Sequence, residues 1–88
     1  MRALTSSDSF IRELQKFFRS HRDLATTIER VFDLLENDIH TSTLHTHKLH
    51  GKLLGSYACK INHQYRIIFS FDEKNIYLKS IGSHDEVY

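Results

Sequence analysis

Residues 57–71 read Tyr57-Ala58-Cys59-Lys60-Ile61-Asn62-His63-Gln64-Tyr65-Arg66-Ile67-Ile68-Phe69-Ser70-Phe71, and their period is two. Tyr57, Cys59 and Ile61 alternate with Ala58, Lys60 and Asn62. Past a short turn near Asn62 and His63, Tyr65, Ile67, Phe69 and Phe71 alternate with Arg66, Ile68 and Ser70. Such alternation marks half-buried strands. A third run follows a hairpin loop at Asp72-Glu73-Lys74-Asn75, with Ile76 and Leu78 alternating with Tyr77, Lys79 and Ile81. Three strands joined by short connections predict an antiparallel meander. One face should pack on the rest of the chain and the other should meet solvent or substrate. Lys60 and Arg66 fall opposite the main apolar sets, so both cations are predicted on the open face. An arginine there is either a snorkelling surface residue or a fixed anion ligand.

Working back towards the N-terminus, the period changes to that of a helix. Leu24, Ile28, Val31, Phe32 and Leu35 make one apolar stripe; Phe10, Ile11, Leu14, Phe17 and Phe18 make another. Ser6, Ser7, Asp8 and Ser9 supply caps before the first helix, and Ser20-His21-Arg22-Asp23 forms the turn between the two. The stripes predict a helical hairpin. Met1 to Thr5 fits a short edge strand. Residues 39–56 are polar and read as irregular, with Gly51 and Gly55 near their end. The fold class expected is α+β: an N-terminal helical hairpin on one face of a small, mainly antiparallel sheet.

The chain has 88 residues, a length that fits one domain over 1–88. Hydrophobic residues make up 40% and charged residues 26%, which places it among ordinary globular chains. A lone cysteine, Cys59, forms no internal disulfide, and alternation makes it a small core hydrophobe. No stretch approaches the roughly 20 apolar residues of a membrane helix, and Met1-Arg2-Ala3-Leu4 has no apolar run behind it. The expected setting is the cytoplasm. Net charge is only +1, but from Ile39 to Phe71 there is no Asp or Glu. That gap is either a consequence of strands that disfavour carboxylates or a basic face for a polyanion.

Of seven histidines, His45, His47 and His50 lie close together. Without paired cysteines or a helical i, i+4 histidine pair, solvated loop residues are the better reading than a metal site. His21 takes the same reading as a solvated turn residue. Glycine-rich phosphate loops and serine elbows are absent. His84 follows Gly82-Ser83 directly after the third strand and precedes Asp85-Glu86-Val87-Tyr88. It is either an exposed tail histidine or a group that moves protons near neutrality.

Three segments carry a resemblance. His47-Lys48-Leu49-His50-Gly51-Lys52-Leu53-Leu54-Gly55-Ser56-Tyr57 resembles a segment of the form K-L-x-G-x-L-x-G-x-Y. Tyr65-Arg66-Ile67-Ile68-Phe69 resembles Y-R-I-I-F. Ile81-Gly82-Ser83-His84-Asp85-Glu86-Val87-Tyr88 resembles I-G-T-H-D-E-V-Y. In this order and spacing they resemble the RelE/ParE toxin superfamily, on its RelE and YafQ-like side.

The resemblance implies a toxin of a type II toxin–antitoxin system that enters the ribosomal A site and cuts messenger RNA. It also implies a cognate antitoxin, and a toxin–antitoxin complex that binds promoter DNA. It implies catalytic roles for Arg66, His84, Tyr88 and His47, and RNA contacts from Lys48, Lys52, Lys60 and Tyr65. The reaction needs neither metal nor cofactor, because RNA supplies its own 2′-hydroxyl nucleophile. Departures are plain: RelE-like members lack a tail histidine, and the histidine and acid of YafQ-like middle strands fall here at Lys60 and Gln64. Which group is the base and which the acid therefore stays open. Other readings are a ParE-like gyrase inhibitor without nuclease activity and a non-catalytic RNA-binding domain.

Overall fold

The computed structural model describes residues 1–87. The chain begins with β1 (Ala3–Ser6) and α1 (Asp8–Ser20), then a 3₁₀ turn at Arg22–Leu24 and α2 (Ala25–Asn37). Ser7 caps α1: its hydroxyl accepts from the Phe10 amide at 3.1 Å and satisfies one of the orphan donors of the first turn. A 3₁₀ turn at Ser42–Leu44, the two-residue β2 (His47–Lys48) and a 3₁₀ turn at Gly51–Leu53 follow. Then come β3 (Tyr57–Lys60), β4 (Tyr65–Phe71), β5 (Asn75–Ser83) and a single helical turn, α3 (His84–Val87).

The sheet runs β1-β5-β4-β3-β2. The expected meander forms its centre, and its pairs are antiparallel; β1 alone joins in parallel, beside β5. The helical stripes meet one face. Phe10, Phe17, Ile28, Val31 and Leu35 pack there against Cys59, Ile67, Phe69, Ile76, Leu78 and Ile81. The α+β expectation therefore holds, as a two-helix layer on a mixed five-stranded sheet.

Three expectations need correction. Residues 39–56 are irregular in backbone but not simply polar loop: Ile39, Leu44 and Leu49 are buried, and β2 extends the sheet. Isolated apolar residues in a non-periodic segment carry no pattern to read.

The second face is not wholly open. Leu49, Leu53 and Val87 close over Ala58 and Ile68 as a small second core.

Third, strict alternation grouped Ile81 with Tyr77 and Lys79, yet Ile81 is buried on the helix side. The register explains it. Phe69 pairs Leu78 while Ile68 pairs Ser80, so Lys79 is an extra residue in β5. Such a bulge flips the parity of everything beyond it.

Candidate functional site

Arg66 is fixed by the turn that precedes it. Asn62 Oδ1 accepts from the Gln64 and Tyr65 amides, each at 2.9 Å, the side-chain mimicry of a turn for which asparagine is suited. The turn carbonyls then face the guanidinium. Arg66 Nη1 donates to the carbonyls of Asn62, of Tyr65 at 3.0 Å and of His63 at 3.4 Å. One nitrogen of the fork is thus spent on the backbone; Nε and Nη2 have no protein partner among the described residues.

Across the sheet, Arg66 stands opposite Lys60 on β3 and Gly82 on β5. Adjacent strands lie roughly 4.8 Å apart, so Lys60, Arg66 and Gly82 form one row on the face away from the helices. The bulge at Lys79 is what brings Gly82, rather than Ile81 or Ser83, into this row. It also sets where the tail leaves the sheet, since His84 begins two residues on and α3 packs against β5 and β4. In the adjacent row, His47 on β2 stands opposite Ala58, which pairs Ile68. His47 therefore shares the face of Arg66, two strands away.

His84 is exposed, with Nδ1 3.7 Å from Asp85 Oδ1. A pair this exposed is worth little energetically. Lys48 and Lys52 are exposed on β2 and on the turn at Gly51–Leu53. Tyr88 lies outside the described residues.

Tyr65 is elsewhere. Its ring belongs to the helix face, edge-on to Phe17 at 5.0 Å, and its hydroxyl meets His21 Nε2 at 2.8 Å. Being adjacent in sequence to Arg66 puts it on the opposite face, which is the ordinary consequence of a strand. His21 is not a solvated turn residue either. It stacks on Phe17 at 4.1 Å, and its Nδ1 meets the Phe17 carbonyl at 3.0 Å. A carbonyl only accepts, so Nδ1 carries the proton, and in neutral imidazole Nε2 accepts from Tyr65.

Sequence reasoning missed Lys79. Its Nζ donates to the buried Ser56 Oγ at 2.8 Å. Ser56 precedes β3 while Lys79 sits in β5, so the lysine stem crosses β4 and adds a cation to the face of Arg66. Alternation already places Lys79 opposite Ile76 and Leu78, but its reach to Ser56 depends on strand order, which has no signature in the sequence.

Cys59 plays no chemical part at neutral pH: burial pushes its thiol up to about 12, outweighing the lowering by the Ile67 backbone and Arg66. Among the described residues no three of His, Cys, Asp and Glu are grouped to hold a metal ion. None of their helices is long and apolar enough to cross a membrane.

A family described as the bacterial toxin of type II toxin–antitoxin systems, YafQ, matches residues 2–88. No curated protein sequence matches. Among solved structures, YafQ from E. coli strain BL21(DE3) superposes with a TM-score of 0.85 at 16% identity, covering 100% of this chain and 99% of that one. The E. coli DinJ–YafQ toxin–antitoxin complex gives 0.82 at 17%, covering 99% and 97%. The YoeB–YefM complex from Staphylococcus aureus gives 0.76 at 21%, covering 96% and 98%. At these identities the likeness carries the fold.

Proposed function

The chain belongs to the YafQ family of bacterial toxins from type II toxin–antitoxin systems, and from that premise we propose that it is a ribosome-dependent endoribonuclease that cuts messenger RNA. The observation that supports this best is the row of Lys60, Arg66 and Gly82, in which the arginine has, among the described residues, no partner for Nε and Nη2 beside the start of the tail.

In this reading the 2′-oxygen of one nucleotide attacks the adjacent phosphorus. Its proton passes to a base, the P–O5′ bond breaks, and the leaving oxygen takes a proton from an acid. The products are a 2′,3′-cyclic phosphate and a 5′-hydroxyl end. Charge builds on the non-bridging oxygens as phosphorus becomes five-coordinate. Nε and Nη2 of Arg66 suit those oxygens, because a clasped, planar and always-charged group needs no reorganisation. Lys60 adds charge from the neighbouring strand and Lys52 from the turn at Gly51–Leu53, as point charges on the RNA backbone, whereas Lys48, opposite Tyr57 on β3, falls on the helix side of the sheet. His84 and His47 are the proton-transfer groups. Tyr88 is the aromatic that stacks on a base or orients the phosphate, by its resemblance to the family tail. Tyr65 no longer belongs among the RNA contacts. Its role is to seat β4 on α1.

The partner is a protein antitoxin, as DinJ is for YafQ and YefM for YoeB. Promoter DNA is met only through the toxin–antitoxin complex, and the site of action is the cytoplasmic ribosome with its message.

Brief induction followed by mapping of messenger 5′ ends tests the reading. Wild type should arrest growth and leave new 5′-hydroxyl ends within codons. Arg66→Ala should lower cleavage by roughly 10²–10³-fold, and His84→Ala by roughly 10²–10⁴-fold. Intact messages with damaged DNA would instead identify a gyrase inhibitor. Variants as toxic as wild type would remove these residues from the site.

A further inference from the structure

A groove of about 410 Å³ lies between α2 and the β3–β4 turn. Its volume falls in the range of roughly 300–1,000 Å³ typical of ligand sites. The helix side of it is one stripe of α2, carrying Arg30, Val31 and Leu34. The acids that flank Arg30 in sequence, Glu29 and Asp33, lie off that stripe, and among the described residues no carboxylate lines the groove. Val31, Leu34, Leu44 and Ile61 make an apolar floor, while Arg30, His45, Lys60 and His63 supply the polar rim. His45 is held in the left-handed region at φ 50°, a conformation that costs a side-chain-bearing residue on the order of 1–3 kcal/mol.

We propose that this groove binds the single-stranded RNA flanking the cut, with phosphates against Arg30 and Lys60 and a base laid on the apolar floor beside His45 and His63. The inference rests on the nuclease reading and extends it. Two observations favour RNA over an acidic protein segment. Lys60 belongs to both places: it stands in the row with Arg66 and it lines the groove. The turn that walls the groove, Asn62–His63, is also the turn whose carbonyls Arg66 clasps. From Arg66 a strand reaches the groove over this turn, and the described lining it meets there carries Arg30, Lys60, His45 and His63. Single-stranded RNA is bound in this way elsewhere, with cations along the backbone and rings or apolar surface under the bases.

The test uses RNA that lacks the 2′-hydroxyl nucleophile, in lengths of about five and about ten nucleotides, which bracket the small site sizes of single-strand binders. Binding is followed by fluorescence anisotropy across a salt series. Wild type should bind the longer RNA about tenfold more tightly. Arg30→Ala combined with His63→Ala should abolish that advantage and leave the shorter RNA unaffected. The double variant should also flatten the salt slope for the longer RNA, by about 0.7 for each phosphate no longer neutralised. Arg30→Lys should restore the slope. Both residues are exposed, and thermal unfolding of each variant checks that the fold is kept.

Equal binding of the two lengths by wild type would overturn the proposal. So would no binding of either, or equal weakening of both by the double variant. Loss of antitoxin binding with unchanged RNA binding would assign the groove to an acidic protein segment. The nuclease reading fails separately: if induced wild type leaves messages intact while the longer RNA keeps its advantage, the groove stands without the reaction.

Discussion

Arg66 and Tyr65 are neighbours in sequence with opposite work, and the strand pleat is what separates them. Tyr65 reaches His21 and Phe17 on the helix side, so Tyr65→Phe removes one partly buried hydrogen bond and keeps the ring. It should cost about 1–2 kcal/mol, read as a lower denaturant midpoint with an unchanged slope. RNA affinity should stay at the wild-type level, which a hydrogen bond from the Tyr65 hydroxyl to RNA would not allow.

Cys59 gives a pH test with a definite sign. Its thiol goes from 9.0 up to about 12 in the folded chain. The folded state therefore holds the proton where the unfolded state has lost it. The associated stability is full below pH 9 and falls between pH 9 and about 12, by on the order of 4 kcal/mol. Alkaline unfolding followed by circular dichroism should show this fall, and Cys59→Ala should flatten it. Thiol reagents at neutral pH should label the wild type only after unfolding.

At the scale of elements, α1 starts where a serine can cap it and β5 changes face where a residue is inserted. Ser7→Ala should lower stability by about 1 kcal/mol, measured by thermal melting, because the Phe10 amide loses its acceptor. The serine-rich run before Phe10 announced such a cap, and the structure selects Ser7 from it. The Lys79 bulge was illegible by comparison. Alternation reads one strand at a time, whereas a bulge exists only in the register between two. The tail motif was legible as a motif. Which residue of it stands beside Arg66 depended on that bulge.

At the scale of the molecule, β1 closes the open side of β5. The Arg2 amide donates to the Glu36 carbonyl at 3.0 Å, its Nε donates to the Asp72 carbonyl at 2.7 Å, and its guanidinium lies 4.8 Å from the centre of the Phe71 ring. The N-terminal segment through Ser6 thus ties the sheet edge, the end of α2 and the β4–β5 hairpin together. Deleting it should leave β5 as an unpaired edge, the condition that invites aggregation. The expected outcome is a lower melting temperature and concentration-dependent light scattering, with co-expressed antitoxin restoring solubility by binding the folded state.

The α+β class, the two amphipathic helices, the three-stranded meander and the basic, carboxylate-free stretch were all set by the order of residues, because period and composition are local properties that survive without a fold. The second small core, the helix-side placement of Tyr65 with His21, the Lys79 bridge to Ser56, and the alignment of Lys60, Arg66 and Gly82 were decided only in tertiary structure. Each depends on which strands pair and in what register, and register is settled by burying one face of the whole sheet at once, an energy no single segment contains.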